Sequence, residues 1–401
     1  MTTDEPLSYP FGEPEGLTIN PAYEALLERP GMATVQPTFG TTAHLAVRYD
    51  DVRSVLGDDR FSRAKSVAED EPRVHSFIPR PDALNAMDPP EHTRLRRALS
   101  SAFTTRKTAA MEPRVQEIAD GLLDEMARVG SPADLVAAFA HPLPIMVICE
   151  LLGVPFEDRH KFSEWANATL STASATIAHE EIVASRAEMF GYLNGLIEAR
   201  REEPADDLLS QLVLAHDEHG SLNATEMLGL ASSVLVAGYE TTANQIANCV
   251  YVLLSNPDKL AELRDHPELM HNAVEELLRV ATVMATAGFS RIATEDVKVG
   301  EQLVQQGERV LPTLFTANTD PAVFEDPHKI DFYRSNSGTH LAFSYGAHHC
   351  PGNALARVEL RVALGSLLKR FPQLSFAHSA KEVLWKEATL SRGPLRLPVS
   401  W

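Results

Sequence analysis

Apolar residues recur at three- and four-residue spacing through most of the chain and give way to strict alternation only in short runs. The first spacing lays a stripe along a helix, the second along one side of a strand. Residues 43–49 alternate, with Ala43, Leu45, Val47 and Tyr49 on one side, and predict a strand. Residues 50–56 predict a short helix after an Asp start. Residues 58–85 are polar and irregular, interrupted by Pro72, Pro79 and Pro81. A loop of that length in a compact domain is usually functional or mobile. Asp88-Pro89-Pro90-Glu91 predicts a helix start, with Asp88 as N-cap, Pro89 in the first position and Glu91 at the capping-box position. From residue 111 to about 214 the pattern is mostly helical. It predicts helices over 115–129, over 145–152 after Pro142-Leu143-Pro144, and over the amphipathic pair 160–175 and 181–201, then one capped by Asp206 and Asp207. The longest predicted helix is 225–254, apolar nearly all round in its first half and so expected to run through the core. Two more helices fit 257–280. Residues 282–310 turn to β-branched residues and alternation, and predict strands. Residues 317–334 form a loop-like meander, 353–371 a helix, and 384–398 a last hairpin. The fold class is mainly α with small β-sheets (α+β).

Inside the long helix lies Ala237-Gly238-Tyr239-Glu240-Thr241-Thr242. Gly in a helix interior costs about 1 kcal/mol relative to Ala. A Glu in an apolar stretch costs more unless paired. Thr241 can return a hydrogen bond to the carbonyl of Ala237 and loosen the helix. Three local rules broken at one place point to a functional site. The plain alternative is a helix turning one polar side to solvent.

A second irregular stretch is Phe343-Ser-Tyr-Gly346-Ala-His348-His349-Cys350-Pro351-Gly352. It is expected to place Cys350 at a strand-to-helix junction. Glycine at 346 and 352 allows a close backbone approach or a positive φ. The helix predicted after it would aim its N-terminal N–H groups toward Cys350, a setting that favours thiolate. A thiolate held against a large flat group is what haem-iron ligation by cysteine needs. Zinc at His348-His349-Cys350 is the competing metal. Three consecutive residues do not easily converge on one tetrahedral ion, and the sequence has no C-x-x-C partner.

Of 401 residues, 44% are hydrophobic, enough for a large core. The net charge of −19 argues against nucleic acid and anionic membrane as partners. Cys149, Cys249 and Cys350 are far apart and odd in number, which fits a reducing cytoplasm better than a secreted disulfide framework. The first residues carry no basic or apolar leader, and no run approaches the ~20 apolar residues of a bilayer span. We expect a cytoplasmic protein, one domain over 1–401.

The matches at Phe343, Gly346, His348, Cys350 and Gly352 resemble the haem-thiolate signature of the cytochrome P450 family. Ala237 to Thr242 resembles that family's A-G-x-[DE]-T-T, on the helix that crosses the haem on the oxygen-binding side. His92 and Arg96, after Asp88-Pro89-Pro90, resemble its pair of haem-propionate donors. Carboxylates at the edge of an apolar pocket need charged donors, although the bare pattern also suits a solvated basic face. Arg291 resembles the third donor. Glu276, Arg279 and Arg334 resemble a buried structural network. The resemblance runs through nearly the whole chain in order.

It implies a cytochrome P450 fold, with haem b between a long central helix and a cysteine-bearing loop. Cys350 would ligate the iron. His92, Arg96, Ala237, Gly238, Arg291, Phe343, Gly346, His348 and Gly352 would contact the cofactor. Glu240 would pass protons inward, and Thr241 would hold dioxygen and its water. Val234, Ala237, Thr286, Ala287 and Leu390 would line the substrate pocket. The 58–85 loop and the helices 160–175 and 181–201 would cover it. No flavin or iron–sulfur motif is present, so electrons from NAD(P)H are expected through a separate ferredoxin or flavodoxin and its reductase. Arg106, Lys107, Arg357, Arg361 and Lys369 are either a basic patch for that partner or scattered solubilising charge. The expected reaction is O2-dependent hydroxylation or other oxidation of a small, largely apolar secondary metabolite by a monomer. Alternatives are oxidative ring coupling without oxygen insertion, a peroxide-driven peroxygenase (which Glu240-Thr241 argues against), and a non-catalytic haem sensor or carrier.

Pro351 departs from the family's usual aliphatic residue after the cysteine. Proline has no N–H to donate to the sulfur. Pro351→Leu is therefore expected to raise the haem potential, and a redox titration giving an unchanged or lower value rejects this.

Overall fold

Six short strands pair into one sheet in the order Leu7–Tyr9, Ala33–Pro37, Ala43–Ala46, Arg309–Pro312, Arg291–Ala293 and Phe61–Ser62. The first pair and the Ala43–Ala46 pairing with Arg309–Pro312 are parallel, and the rest are antiparallel. The computed structural model describes all residues except 1–4, 13–15, 76–77, 171–178, 218–219, 285 and 387–390. The chain divides into two compact units, Met1–Glu91 with Glu275–Cys350, and His92–Val274 with Pro351–Trp401.

The first unit contains this sheet and the two-stranded ladder of Val297–Val299 with Gln302–Val304. The alternation read over 43–49 holds for the strand Ala43–Ala46 and as far as Val47, but Tyr49 opens the helix Tyr49–Gly57 and packs in the other cluster. Ala43, Leu45 and Val47 pack with Tyr9, Tyr23, Leu311 and Phe315. Ala46 belongs to a second apolar cluster with Val52, Val55, Leu56 and Phe324, three of them on the helix Tyr49–Gly57. Alternate residues of one strand thus serve two cores, as a period of two requires.

A buried charged network closes this unit. Glu276 and Arg279 lie one turn apart and are fully buried. Arg279 donates to Glu276 from Nε at 2.8 Å and Nη2 at 2.7 Å, and from Nη1 to the carbonyls of Asn318 and Pro327 at 2.9 and 2.7 Å. Arg334 Nε donates to Glu276 at 3.1 Å, and the Asp331 N–H adds a bond at 3.0 Å. The meander over 317–334 is thereby pinned without regular secondary structure. The polar groups left by a loop are satisfied by side chains instead.

The second unit is helical: Thr105–Val129, Pro142–Leu152, Arg159–Leu170, His179–Glu202, Leu208–Asp217, Ala224–Ser255, Pro257–Asp265 and Asn353–Arg370, with a small sheet of Ser375–Phe376, Pro398–Ser400 and Ala133–Asp134. The helix expected over 160–175 ends at Leu170, and its remainder lies outside the described residues. Ala224–Ser255 is the central helix. It packs on Pro142–Leu152 and Asn353–Arg370. Asn223 and Glu226 form a reciprocal capping box at its start. Arg94 clamps that box, with Nη1 2.9 Å from Glu226 and 2.7 Å from the Ser221 carbonyl.

Burial of this helix differs from expectation. The unbroken buried stretch is the second half, residues 242–250, including Asn244, Gln245 and Asn248. Hydropathy marks these amides as solvent-facing, but Asn244 and Asn248 are paired with the C-terminal hairpin, so burying them leaves few groups unsatisfied.

The network around Glu276 sets a stability prediction. Arg279→Met leaves the buried Glu276 carboxylate with Arg334 and the Asp331 N–H as its remaining partners and is expected to cost about 3–5 kcal/mol. Chemical denaturation measures it, and a loss under about 1 kcal/mol would place Arg279 among surface-type ion pairs.

Candidate active site

Within the central helix, Leu235 and Tyr239 are fully buried, yet Ala237 between them is exposed and Gly238 is half-buried. One side of a core helix therefore opens onto space at this point. Gly238 lets Ile148 pack close to the helix, since a Cβ there would stand 2.6 Å from Ile148 Cδ1 and push that side chain aside. Thr241 Oγ1 donates to the Ala237 carbonyl at 2.6 Å, as its position predicts. Glu240 is half-buried and meets Lys386 Nζ at 3.3 Å. Tyr239 OH stands 3.0 Å from His141 Nδ1. Burial, helped by the charge of Lys386, lowers His141 to about 4 and keeps it neutral. Val234 is buried on the same helix.

The cysteine loop differs from the expected strand-to-helix junction. Among the described residues, short helical turns and bends lead into it, and the last turn is Gly346–His348. Backbone contacts hold it: the Cys350 N–H donates to Phe343 O at 2.9 Å, and His349 N–H to Gly346 O at 3.1 Å. Gly346 has φ +69°, and a Cβ there would stand 2.2 Å from the carbonyl oxygen of Leu56. Only glycine allows the loop to lie so close to the helix Tyr49–Gly57. Phe343 packs at a tilt on His340, whose Nε2 stands 3.2 Å from Glu275. Gly352 precedes the helix Asn353–Arg370 and accepts from the Ala356 N–H at 2.9 Å. Cys350 is half-buried, whereas Cys149 and Cys249 are buried and pushed up to about 12 by desolvation. Among the described residues, no group of three or more His, Cys, Asp or Glu is arranged to hold a metal ion.

Asp88 was expected to cap a helix and does something else. Its carboxylate accepts from the Arg63 N–H at 2.7 Å, the Ala64 N–H at 3.2 Å and the Ser62 hydroxyl. It caps the turn after Phe61–Ser62, while the helix Glu91–Ser100 begins three residues later. The same grammar of an acid before backbone N–H groups serves either turn. His92 and Arg96 lie on that helix one turn apart, His92 fully buried.

Arg291 and Arg63 are buried in the first unit. Among the described residues, Arg291 Nη1 reaches only the carbonyls of Phe289 and Ser290, at 3.1 and 3.2 Å. Arg63 stacks on Phe289 at 4.3 Å and donates to Ser66, and its buried Nη2 has no hydrogen-bond partner among the described residues. Desolvation lowers Arg63 to about 9 and Arg291 to about 10; Arg291 lowers Arg63 further, and Asp88 offsets both in part. Asp88 alone balances this pair incompletely. Sequence reasoning singled out Arg291 and missed Arg63, whose neighbours come from residues 88, 289 and 291.

Of the residues expected to line the substrate pocket, Thr286 and Ala287 belong to the first unit. Thr286 Oγ1 faces His75 Nε2 at 3.5 Å. Ala287 is buried in the sheet's core, its N–H 2.6 Å from the Tyr9 hydroxyl. Leu390 lies outside the described residues.

The family model described as "Cytochrome P450" matches residues 32–382. The chain is a cytochrome P450. Mycinamicin IV hydroxylase/epoxidase of Micromonospora griseorubida is 47% identical over 401 residues, all of both chains. Nocardicin C N-oxygenase of Nocardia uniformis subsp. tsuyamanensis is 46% identical, also over all of both. The solved structure of the mixed-function P450 MycG matches with TM-score 0.94 and 46% identity over 99% of this chain and 100% of that one. This P450 is therefore an oxidoreductase of the monooxygenase class, and the α+β fold expected from sequence is the family's. No helix among the described residues is long and apolar enough to cross a membrane.

The family implies a haem, and the residues present fit one. An orphaned guanidinium nitrogen on Arg63 and an undercompensated Arg291 ask for an anionic group. The single cysteine that escapes deep burial lies on a glycine-shaped loop. Arg63→Met is expected to speed haem transfer to apomyoglobin about tenfold, the loss of one charged hydrogen bond. An unchanged transfer rate would confine Arg63 to a role in the fold.

Proposed function

We propose that the chain is a haem-thiolate monooxygenase that hydroxylates or otherwise oxidises a small, largely apolar secondary metabolite. Cys350 is the iron ligand. His92, Arg96, Arg291 and Arg63 meet the propionates, and His348, Phe343, Gly346, Gly352, Ala237 and Gly238 complete the cofactor's surroundings. When bound, haem b supplies reductive activation of O2. The chain's own part is to position substrate, limit water and deliver protons. Glu240 takes a proton from the solvent side and passes it inward. Thr241 exchanges its bond to the Ala237 carbonyl for one to oxygen or to an ordered water. Val234, Ala237, Thr286 and Ala287 supply small or apolar surface for the substrate.

The observation that carries this proposal is the exposure of Ala237 between buried Leu235 and Tyr239, next to a threonine hydroxyl and a half-buried acid. Two relatives named for oxidising mycinamicin IV and nocardicin C support a natural-product substrate. Electrons come from NAD(P)H through a ferredoxin or flavodoxin and its reductase, in the cytoplasm, to a monomeric enzyme. Arg106 and Lys369 are exposed and suited to an acidic partner, while Arg361 is partly neutralised by Glu112 at 3.6 Å.

The decisive test is optical. Reduced, haem-loaded protein under carbon monoxide is expected to show the red-shifted Soret band of thiolate ligation, and Cys350→Ser to lose it. A parent protein without that band overturns the assignment. With a turnover substrate, product mass separates gain of one oxygen from the loss of two hydrogens that coupling gives.

A further inference from the structure

The central helix presents Glu240, Asn244 and Asn248 at successive turns, and each meets the last hairpin. Lys386 Nζ donates to Glu240 Oε1 at 3.3 Å and to Asn244 Oδ1 at 3.0 Å. Asn244 Nδ2 donates to Ser391, at 3.0 Å to Oγ and 3.3 Å to the carbonyl. Asn248 Nδ2 donates to the Arg392 carbonyl at 3.0 Å. The hairpin is a backbone ladder, with the Lys386 N–H on Gly393 O at 3.0 Å and the Leu395 N–H on Leu384 O at 2.7 Å. Gly393 admits the close approach, since a Cβ there would lie 2.5 Å from Asn244.

Lys386 is therefore fixed at both ends. Its backbone is in the ladder and its ammonium is shared by side chains on two helical turns. The side chains of Lys386 and Glu240 are only 14% and 15% exposed. At that depth an ion pair is not a loose surface contact, and its geometry restrains both rotamers. The nearby His141 is held neutral, so it brings no competing cation to the carboxylate.

We propose that Lys386 is a positioning residue for proton delivery: it holds the Glu240 carboxylate in the orientation from which protons pass inward. This rests on the role given to Glu240 above. Without added substrate, O2 has two fates in such an enzyme. Two electrons and two protons convert it to H2O2. Four electrons and four protons convert it to two H2O, which requires O–O cleavage and so depends on timely protons. The water-to-peroxide ratio thus reads proton delivery with O2 as the only probe.

The test uses the haem-loaded protein with NADPH, a ferredoxin and its reductase, in H2O and D2O. Lys386→Met is expected to lower the water-to-peroxide ratio by roughly threefold or more. Glu240→Gln should lower it at least as far, and the double variant no further than Glu240→Gln. Lys386→Arg should restore most of the ratio. The D2O effect on O2 consumption should change alike in Lys386→Met and Glu240→Gln. In denaturant, the four proteins of the double-mutant cycle should show non-additive midpoints. If Lys386→Met loses its Soret band, Lys386→Gln, which keeps a donor for Asn244, is read in its place. A parental ratio in the lysine variant beside a lowered one in Glu240→Gln overturns the proposal alone, as do additive effects in the double variant. A parental ratio in Glu240→Gln overturns the role of Glu240 itself.

Discussion

The guanidinium groups of Arg63 and Arg291 repel each other inside the first unit, with Asp88 as their shared counter-charge. A buried charge without full compensation is costly, and a fold keeps one only where something else repays it. The contrast with Glu276 is instructive. There one carboxylate meets two guanidiniums and a backbone N–H, and the remaining donors find carbonyls. One cluster is complete and rigid in the chain by itself. The other is left short of negative charge, as a receptor for an anion must be. Under the proposed function, the propionates of a haem fill that deficit.

Sequence disclosed this site where residues break local rules close together. Gly238, Glu240 and Thr241 stand out within one helix, and Cys350 stands between glycines. It was silent where partners are far apart along the chain. Arg63 depends on residues 88, 289 and 291, and Lys386 on 240 and 244. No local pattern marks either one. Asp88 shows another limit: a carboxylate ahead of a proline-led helix has the signature of a cap, but tertiary structure gave its oxygens to the 62–64 turn. Most helices were legible because apolar spacing dictates them, but the one expected over 115–129 begins ten residues earlier, at Thr105, and carries Pro113 inside it. The buried amides on the central helix were not, because polarity alone does not say who the partner is.

The central helix thus has two polar tasks on one element. Around Ala237 its surface is exposed, with the Thr241 hydroxyl turned back on its own backbone and Glu240 on Lys386. One turn further it closes, and its amides are consumed by the hairpin. The ammonium of Lys386 spans the boundary between those regimes. Substitutions in the hairpin therefore act on the acid even where they touch no ligand.

The three sulfurs are unequal in a way that bears on how the enzyme ages. Cys149 and Cys249 are buried and held as thiols by desolvation, and oxidants attack thiolates. Cys350, half-buried on its loop, is the sulfur that a dissolved oxidant meets first. Oxidative damage to the chain's sulfurs is expected to begin there and to spare the two enclosed by the core.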